Sequence, residues 1–357
     1  MNPKYFIKTT LFLLLSSALI IACKKDDSAN SVPSAASLKI SPDSGAGGNL
    51  VTITGSDLAG VQQIILDNDS VPVSFNPVFN TNNALLFRVP DTANGGDQNI
   101  ILVKKNGASV KIPFKVIALV TISGVSNYDF VPGDEITLTG NNLGDVSNVV
   151  LAGTNDAATV VSASKKQLVI KMPATSANRA KLTITNSSGT ITTTQELVNI
   201  NNTYQLFTDD YENGVQNGSW GPATTSTDAA NVKTGTASFA ATYQKGNWSA
   251  DGFANWGTGI PDLTKQGYTY LTFWVKGGLE DYTLYLTAST KAGGSYGNSD
   301  QSTPINVKAG IWNYFKLSLS DIKLWSTGSS CAQIGWWIQG PNDQDETFYF
   351  DDVMFVK

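Results

Sequence analysis

The chain repeats itself. Gly48-Asn49-Leu50-Val51-Thr52-Ile53-Thr54-Gly55-Ser56-Asp57-Leu58 aligns with Gly133-Asp134-Glu135-Ile136-Thr137-Leu138-Thr139-Gly140-Asn141-Asn142-Leu143 at a constant offset of 85, and Val61, Ile64, Ile65 and Leu66 then fall on Val146, Val149, Val150 and Leu151. Farther on, Leu86-Phe87-Arg88-Val89-Pro90 matches Val169-Ile170-Lys171-Met172-Pro173 at an offset of 83. Such a period predicts two tandem copies of one domain of about 82 residues, at 36–117 and 118–200. In each copy apolar residues alternate over short runs, as in Val51/Ile53 and Ile136/Leu138, with Gly, Asn and Asp between runs. Alternation of period two means half-buried strands joined by turns, and hence a small β-sandwich in each copy.

The composition changes abruptly near Tyr204. All 8 Trp and ten of the 12 Tyr lie from Tyr204 onward, and residues 205–357 hold 9 Lys, no Arg and 15 Asp+Glu. Runs such as Leu271/Phe273/Val275, Leu284/Leu286, Phe315/Leu317/Leu319, Ile334/Trp336/Ile338 and Phe348/Phe350/Val353 alternate here too. No sustained 3.6-residue period occurs, so residues 204–357 are expected to form an all-β, two-sheet jelly roll whose ends pair side by side. Function is sought in this domain.

Several chemistries are excluded at the outset. The chain has no histidine, which removes Ser-His-Asp and Cys-His triads, His-ligated zinc and a His acid/base. A formal charge of -5 does not suit a nucleic-acid backbone. Paired carboxylates could cleave glycosides without histidine, but no glycosidase motif is visible, and no Gly-x-x-x-x-Gly-Lys cradles a phosphate. The expectation is a protein that is not an enzyme.

At the N-terminus, Lys4 and Lys8 precede an apolar run of about 11 residues from Leu11 to Ile21, too short to span a bilayer and laid out as a signal peptide over residues 1–22. Ile20-Ile21-Ala22-Cys23 resembles a bacterial lipobox, which implies acylation of Cys23. Lys24-Lys25-Asp26-Asp27 resembles the export signal of Bacteroidota lipoproteins displayed on the outer face of the outer membrane. Residues 23–35 read as the lipidated cysteine and a flexible tether. Cys331 is then the sole thiol of the mature chain, expected as a buried small hydrophobe.

Pro, then Gly, then alternating Thr and aliphatic residues, then Thr-Gly-x-x-Leu, resembles the IPT/TIG family of immunoglobulin-like domains, which implies a spacer or interaction role for both repeats. The opening Phe207-Thr208-Asp209-Asp210-Tyr211-Glu212-Asn213-Gly214, the closing Phe348-Tyr349-Phe350-Asp351-Asp352-Val353-Met354-Phe355, and the internal Leu271–Gly277 and Trp312–Leu319 segments resemble carbohydrate-binding modules with the galactose-binding-like jelly roll. Together these features resemble the surface glycan-binding lipoproteins of Bacteroidota polysaccharide-utilisation systems. That resemblance implies capture of a neutral plant polysaccharide, xyloglucan or another β-glucan, beside an outer-membrane glycan transporter. A surface adhesin binding a protein through the same aromatic patch is the alternative. No cofactor for activity is implied; a structural calcium on Asp210, Glu212 and Asp352 is.

A sugar ring packs its C–H face on an aromatic ring while its hydroxyls bond to neighbouring amides. If Leu271/Phe273/Val275, Leu284/Leu286 and Ile334/Trp336/Ile338 face the core, alternation turns Trp274, Tyr285, Trp337 and Gln339 outward, as candidates for one solvent-facing surface. Trp248, Trp256 and Tyr296, flanked by Gly, Asn and Ser, are expected on exposed loops. Asn298 and Lys276 are further polar candidates, whereas Trp220, Trp312 and Trp325 read as structural.

Overall fold

The computed structural model describes residues 34–292, 295–340 and 343–357. The signal peptide, the expected lipidated Cys23 and the tether through residue 33 lie outside the described residues. What is described is all-β, with only short helical turns between strands. Among the described residues no helix is long and apolar enough to cross a membrane.

The repeated sequence builds two sandwiches with separate cores. In the first, Lys39–Ser41, Leu50–Thr54 and Ala84–Arg88 form one layer, and Ser44–Gly45, Ser109–Val116, Gly96–Lys104, Val61–Leu66 and Val71–Val73 the other. Val51, Ile53, Ile64 and Leu66 fill the space between them. Their counterparts Ile136, Leu138, Val149 and Leu151 do the same in the second, where a bulge between Val160 and Ser162 carries Ala157–Ala163 from one layer to the other along a single eight-strand path. Thr-Gly-x-x-Leu has a packing reason in both copies. Leu58 and Leu143 are fully buried plugs, a Cβ on Gly55 would lie 2.6 Å from Leu38, and one on Gly140 would strike the carbonyl of Thr121.

The C-terminal domain places one sheet (Ala223–Ser226, Ser238–Tyr243, Glu346–Val356, Tyr270–Lys276, Trp312–Ser318) against a second (Gln216–Asn217, Trp248–Ala254, Gln333–Gln339, Tyr282–Ala288, Pro304–Val307). Between them Trp336 stacks on Phe350 at 4.1 Å amid Phe239, Phe253 and Phe273. Each such side chain contributes about 1.5–3 kcal/mol by leaving water. The domain's ends pair as expected, Tyr204–Phe207 running antiparallel to Glu346–Val356. Cys331 is buried, its thiol donating to the Gln333 carbonyl at 2.8 Å.

The outer face of the first of these sheets is covered by the second sandwich. Tyr128 stacks on Tyr314 at 4.6 Å and tilts over Trp274, whose indole donates to Asp129 at 2.8 Å. The Lys233 ammonium sits 4.2 Å from the Trp274 ring and bonds to the Ser126 carbonyl, while Val198 packs on Met354 and Val356. At the rim Glu196 bridges Arg179 and Lys316. The seam encloses Asp129, Asp351 and Asp352, all buried.

Burial lifts the Asp129 carboxyl well above its usual range; burial and then Asp352 raise Asp351 to about 8, and burial raises Asp352 to about 6. These acids hold their protons to higher pH folded than unfolded. The stability they lend is therefore whole below their ordinary value of 3.8 and is lost as pH rises through about 6 and 8. The urea midpoint of the chain is accordingly expected to fall between pH 5 and pH 9. Asp351→Asn, which keeps an oxygen for the Lys233 and Thr234 amides, should flatten that decline. A wild-type midpoint constant over this range would contradict the assignment.

Candidate functional site

Strand alternation sorts the second sheet of the C-terminal domain cleanly. Phe253, Ile334, Trp336, Leu284, Leu286, Ile305 and Val307 point into the core. The opposite face carries Trp248 and Ala250, then Gly335, Trp337 and Gln339, then Tyr285 and Thr287. Cross-strand register draws these into a line, with Ala250 opposite Trp337 and Trp337 opposite Tyr285. On the other side the Trp220 amide donates to the Ala250 carbonyl at 3.0 Å, extending the edge strand by one more pair. The line therefore reads Trp220, Ala250, Trp337, Tyr285 across four strands, about 14 Å from end to end at one strand spacing per step.

Trp248 stacks on Trp337 (4.3 Å between centroids, 16° between planes), and Trp337 stacks on Tyr285 (4.8 Å, 27°). The loop after Ala288 folds onto this face and fills the gap left by the small Ala250. Tyr296 packs there against Ala250 and Trp337, and only a glycine at 335 leaves it room, since a Cβ would lie 2.6 Å from its hydroxyl. Side chains of the sheet fasten the loop. Trp248 donates its indole N–H to the Gly297 carbonyl and Trp337 to the Asp300 carbonyl, both at 2.9 Å, while the Gly297 amide donates to Thr287 at 2.9 Å. Lys291, itself buried, forms an ion pair with Asp300 and donates to Ser302 at 2.6 Å. Its cationic partner and the Ser302 donors hold the Asp300 carboxyl below its ordinary range against the opposing effect of burial.

Covering divides the aromatics into floor and surface. Trp337 and Tyr296 are 3% and 4% exposed and form the floor, whereas Trp220 at 56% and Trp248 at 41% stand clear of it, with Tyr285 half-buried beyond. Trp220 meets Tyr296 edge-on at 5.7 Å and lies so close over Gly297 that a Cβ there would strike its ring. Gln339 is exposed directly opposite Trp248 in the strand register, and Asn298 lies on the covering loop. Because both indole donors of the stack are already used on the loop, the face offers ring surface for packing and amides at its edge for hydrogen bonding. The Lys291 and Asp300 charges neutralise each other.

The structure thus gathers five of the expected residues, Trp248, Tyr285, Tyr296, Trp337 and Gln339, with two of them changed in role. Tyr296 and Trp337 were expected at the surface and are covered, because the loop that carries Tyr296 closes over the sheet. Trp274 is a correction of another kind. It does point away from the core, but from the other sheet, and at 5% exposure it is sealed by Tyr128 and Asp129 of the second sandwich. Trp256 is 59% exposed yet stands past the far end of Trp248–Ala254, about 20 Å of strand from Trp248. Lys276 is engaged on the other sheet with Ala230 and Asn231. Trp220, expected as structural, is the most exposed ring of the line. Its flanks, Ser219 before and Gly221-Pro222 after, are the same loop signal that marked Trp248.

The expected calcium ligands do not converge. Asp210 and Glu212 are exposed, while Asp352 is buried in the interdomain seam, accepting from Thr234 at 2.8 Å. Asp352 has a positive φ (47°) within the closing strand, which stays paired with Tyr204–Phe207 through Val353, Met354 and Phe355. Among the described residues no three His, Cys, Asp or Glu side chains gather as a metal site.

Residues 37–116 and 120–206 match the family model of the IPT/TIG domain, so the two sandwiches are tandem IPT/TIG domains. No curated protein matches the sequence. Among solved structures the chain is similar to a surface glycan-binding protein of Prevotella bryantii (15% identity, 88% of this chain and 94% of that one, TM-score 0.49). It is also similar to SGBP-B from a complex xyloglucan utilization locus in Bacteroides uniformis (17%, 90% and 98%, TM-score 0.44). A third is the Bacteroides ovatus mixed-linkage glucan utilization locus SGBP-B in complex with a mixed-linkage heptasaccharide (15%, 88% and 74%, TM-score 0.34).

Proposed function

We propose that the C-terminal domain captures a neutral polysaccharide, a β-glucan of the xyloglucan or mixed-linkage type, without cleaving it. The observation that carries this reading is the pair of exposed indoles, Trp220 and Trp248, with half-buried Tyr285 beyond, around a buried aromatic floor on one sheet face. Such rings pack on sugar C–H faces, and Gln339 and Asn298 stand beside them to meet hydroxyls. An open face, unlike a closed pocket, admits the middle of a chain, which favours a polymer over a monosaccharide. Cleavage would need two carboxyls flanking the bound sugar. Asp300 is occupied by Lys291, and Asp251 lies beneath the sheet.

In the same proposal Cys23 is acylated, the chain is anchored to the outer membrane facing the exterior, and the IPT/TIG pair raises the head above it. Several weak contacts along one polymer strengthen through effective concentration, which suits delivery to a neighbouring transporter.

Affinity gel electrophoresis of residues 24–357 tests the reading, with xyloglucan and mixed-linkage β-glucan set beside pullulan and anionic polygalacturonate. Retardation by a neutral β-glucan is expected. Retardation by no neutral glycan, with the protein folded, would overturn it and leave a protein partner as the occupant of this face.

A further inference from the structure

Trp220 owes its place to a crossing of the chain. After Gln216–Asn217 the backbone runs beside Trp248–Ala254, with the Gly218 amide donating to Gly252 and the Trp220 amide to Ala250. At Gly221 it leaves that sheet and bridges the open edge of the sandwich to Ala223–Ser226, where the Pro222 carbonyl accepts from Thr242 at 2.8 Å. At the point of departure the Gly221 amide loses its strand partner and donates instead to the carboxylate of Asp251, at 2.7 Å. Ser249 donates to both oxygens of that carboxylate, at 3.1 and 3.0 Å. The fit is close, since a Cβ on Gly221 would lie 2.9 Å from both Ser249 and the Thr242 carbonyl.

A fully buried carboxylate in an otherwise apolar core is costly unless something requires it. Resting on the glycan-capture reading, we propose that Asp251 is the positioning residue of the aromatic face: ionised, it pins the crossing at Gly221 and holds Trp220 against Gly297 and Tyr296, and on taking up a proton it releases Trp220 and weakens capture. The groups that face Asp251 are Ser249 on its own strand, the Trp220 and Gly221 amides of the crossing, the Tyr243 hydroxyl, which donates to Trp336, the Tyr296 hydroxyl of the covering loop, buried without a partner, and the cross-strand Trp336. None of these carries a positive charge. Burial therefore prevails over the donors and lifts the carboxyl to about 6, within reach of mild acidification. A charge-assisted bond is roughly twice as strong as a neutral one, so protonation loosens the pin without breaking the sandwich.

The test uses residues 24–357 labelled with 5-fluorotryptophan, the Trp220 resonance being assigned by its loss in Trp220→Phe. Between pH 8 and pH 5 that resonance is expected to move with a midpoint near 6. In Asp251→Asn it should stay at its acid position throughout. Ser249→Ala, which takes a donor from the ionised form, should shift the midpoint upward; this variant keeps the proposal open to refutation if Asp251→Asn fails to fold. Affinity for xyloglucan should fall about fivefold across the same midpoint in the wild type and be flat in Asp251→Asn. A Trp220 resonance indifferent to pH, or one moving alike in both proteins, would overturn the inference. A resonance that responds as expected in a protein that retains no β-glucan would uphold the positioning role and defeat the glycan reading alone.

Discussion

Trp274→Ala is expected to cost about 3–5 kcal/mol of stability and to uncouple the C-terminal domain from the second IPT/TIG domain, while leaving capture on the opposite sheet intact. The indole is buried between Tyr128 and Tyr314, so its removal leaves a cavity that strands on both sides cannot close without shifting. It also removes the donor to Asp129. The second oxygen of that carboxyl already lacks a partner, so the variant leaves a buried acid with nothing to bond to. Trp274→Phe separates the two contributions, keeping most of the ring and losing the N–H, and should cost only the hydrogen bond, about 1–3 kcal/mol. Calorimetry is the measurement. The wild type should melt its last two domains together, Trp274→Ala should show the C-terminal domain melting apart and earlier, and a single transition at the wild-type temperature would refute the role given to this seam.

The contrast between Trp274 and Trp337 shows what the sequence carried. Both alternate with core residues, Trp274 with Phe273 and Val275, Trp337 with Trp336 and Ile338, and both do point away from the core. Period two fixes the direction of a side chain relative to its own strand. It does not say which sheet the strand joins or what lies over that sheet. That depends on Tyr128 and Tyr296, from 146 residues before Trp274 and 41 before Trp337 respectively. Hence the repeated sandwiches were legible, since they rest on local patterning, and the paired ends of the C-terminal domain followed from the jelly-roll architecture expected of its strands. Tyr296 was found by its Gly and Asn neighbours yet given the wrong role, because loop composition is the same for a plug as for an exposed ring. Trp220 was recoverable by the rule that found Trp248. The calcium expectation rested on the pairing of the strand ends, which does occur but leaves Asp210 and Glu212 exposed and Asp352 buried against Thr234.

Removing either exposed indole should abolish most of the capture. Trp220→Ala and Trp248→Ala are each expected to weaken xyloglucan affinity by about thirtyfold or more, the scale of a desolvated aromatic hot spot. The two losses differ in kind. At 248 the substitution also frees the Gly297 carbonyl and uncovers the face of Trp337, so part of the effect comes from the loosened loop, and Tyr at that position, stacked but without the indole donor, should recover only some of it. At 220 the ring rests against Gly297 and Tyr296 with no side-chain hydrogen bond, so the loss measures ring contact more directly. Trp256→Ala should stay within twofold of the wild type, since that ring, although the most exposed indole among the described residues, stands at the other end of the strand. Isothermal titration with unchanged far-UV circular dichroism decides the matter. Equal affinity in both Trp220→Ala and Trp248→Ala would mean that glycan is held elsewhere, whereas a loss confined to Trp256→Ala would move the site to the opposite end of the sheet.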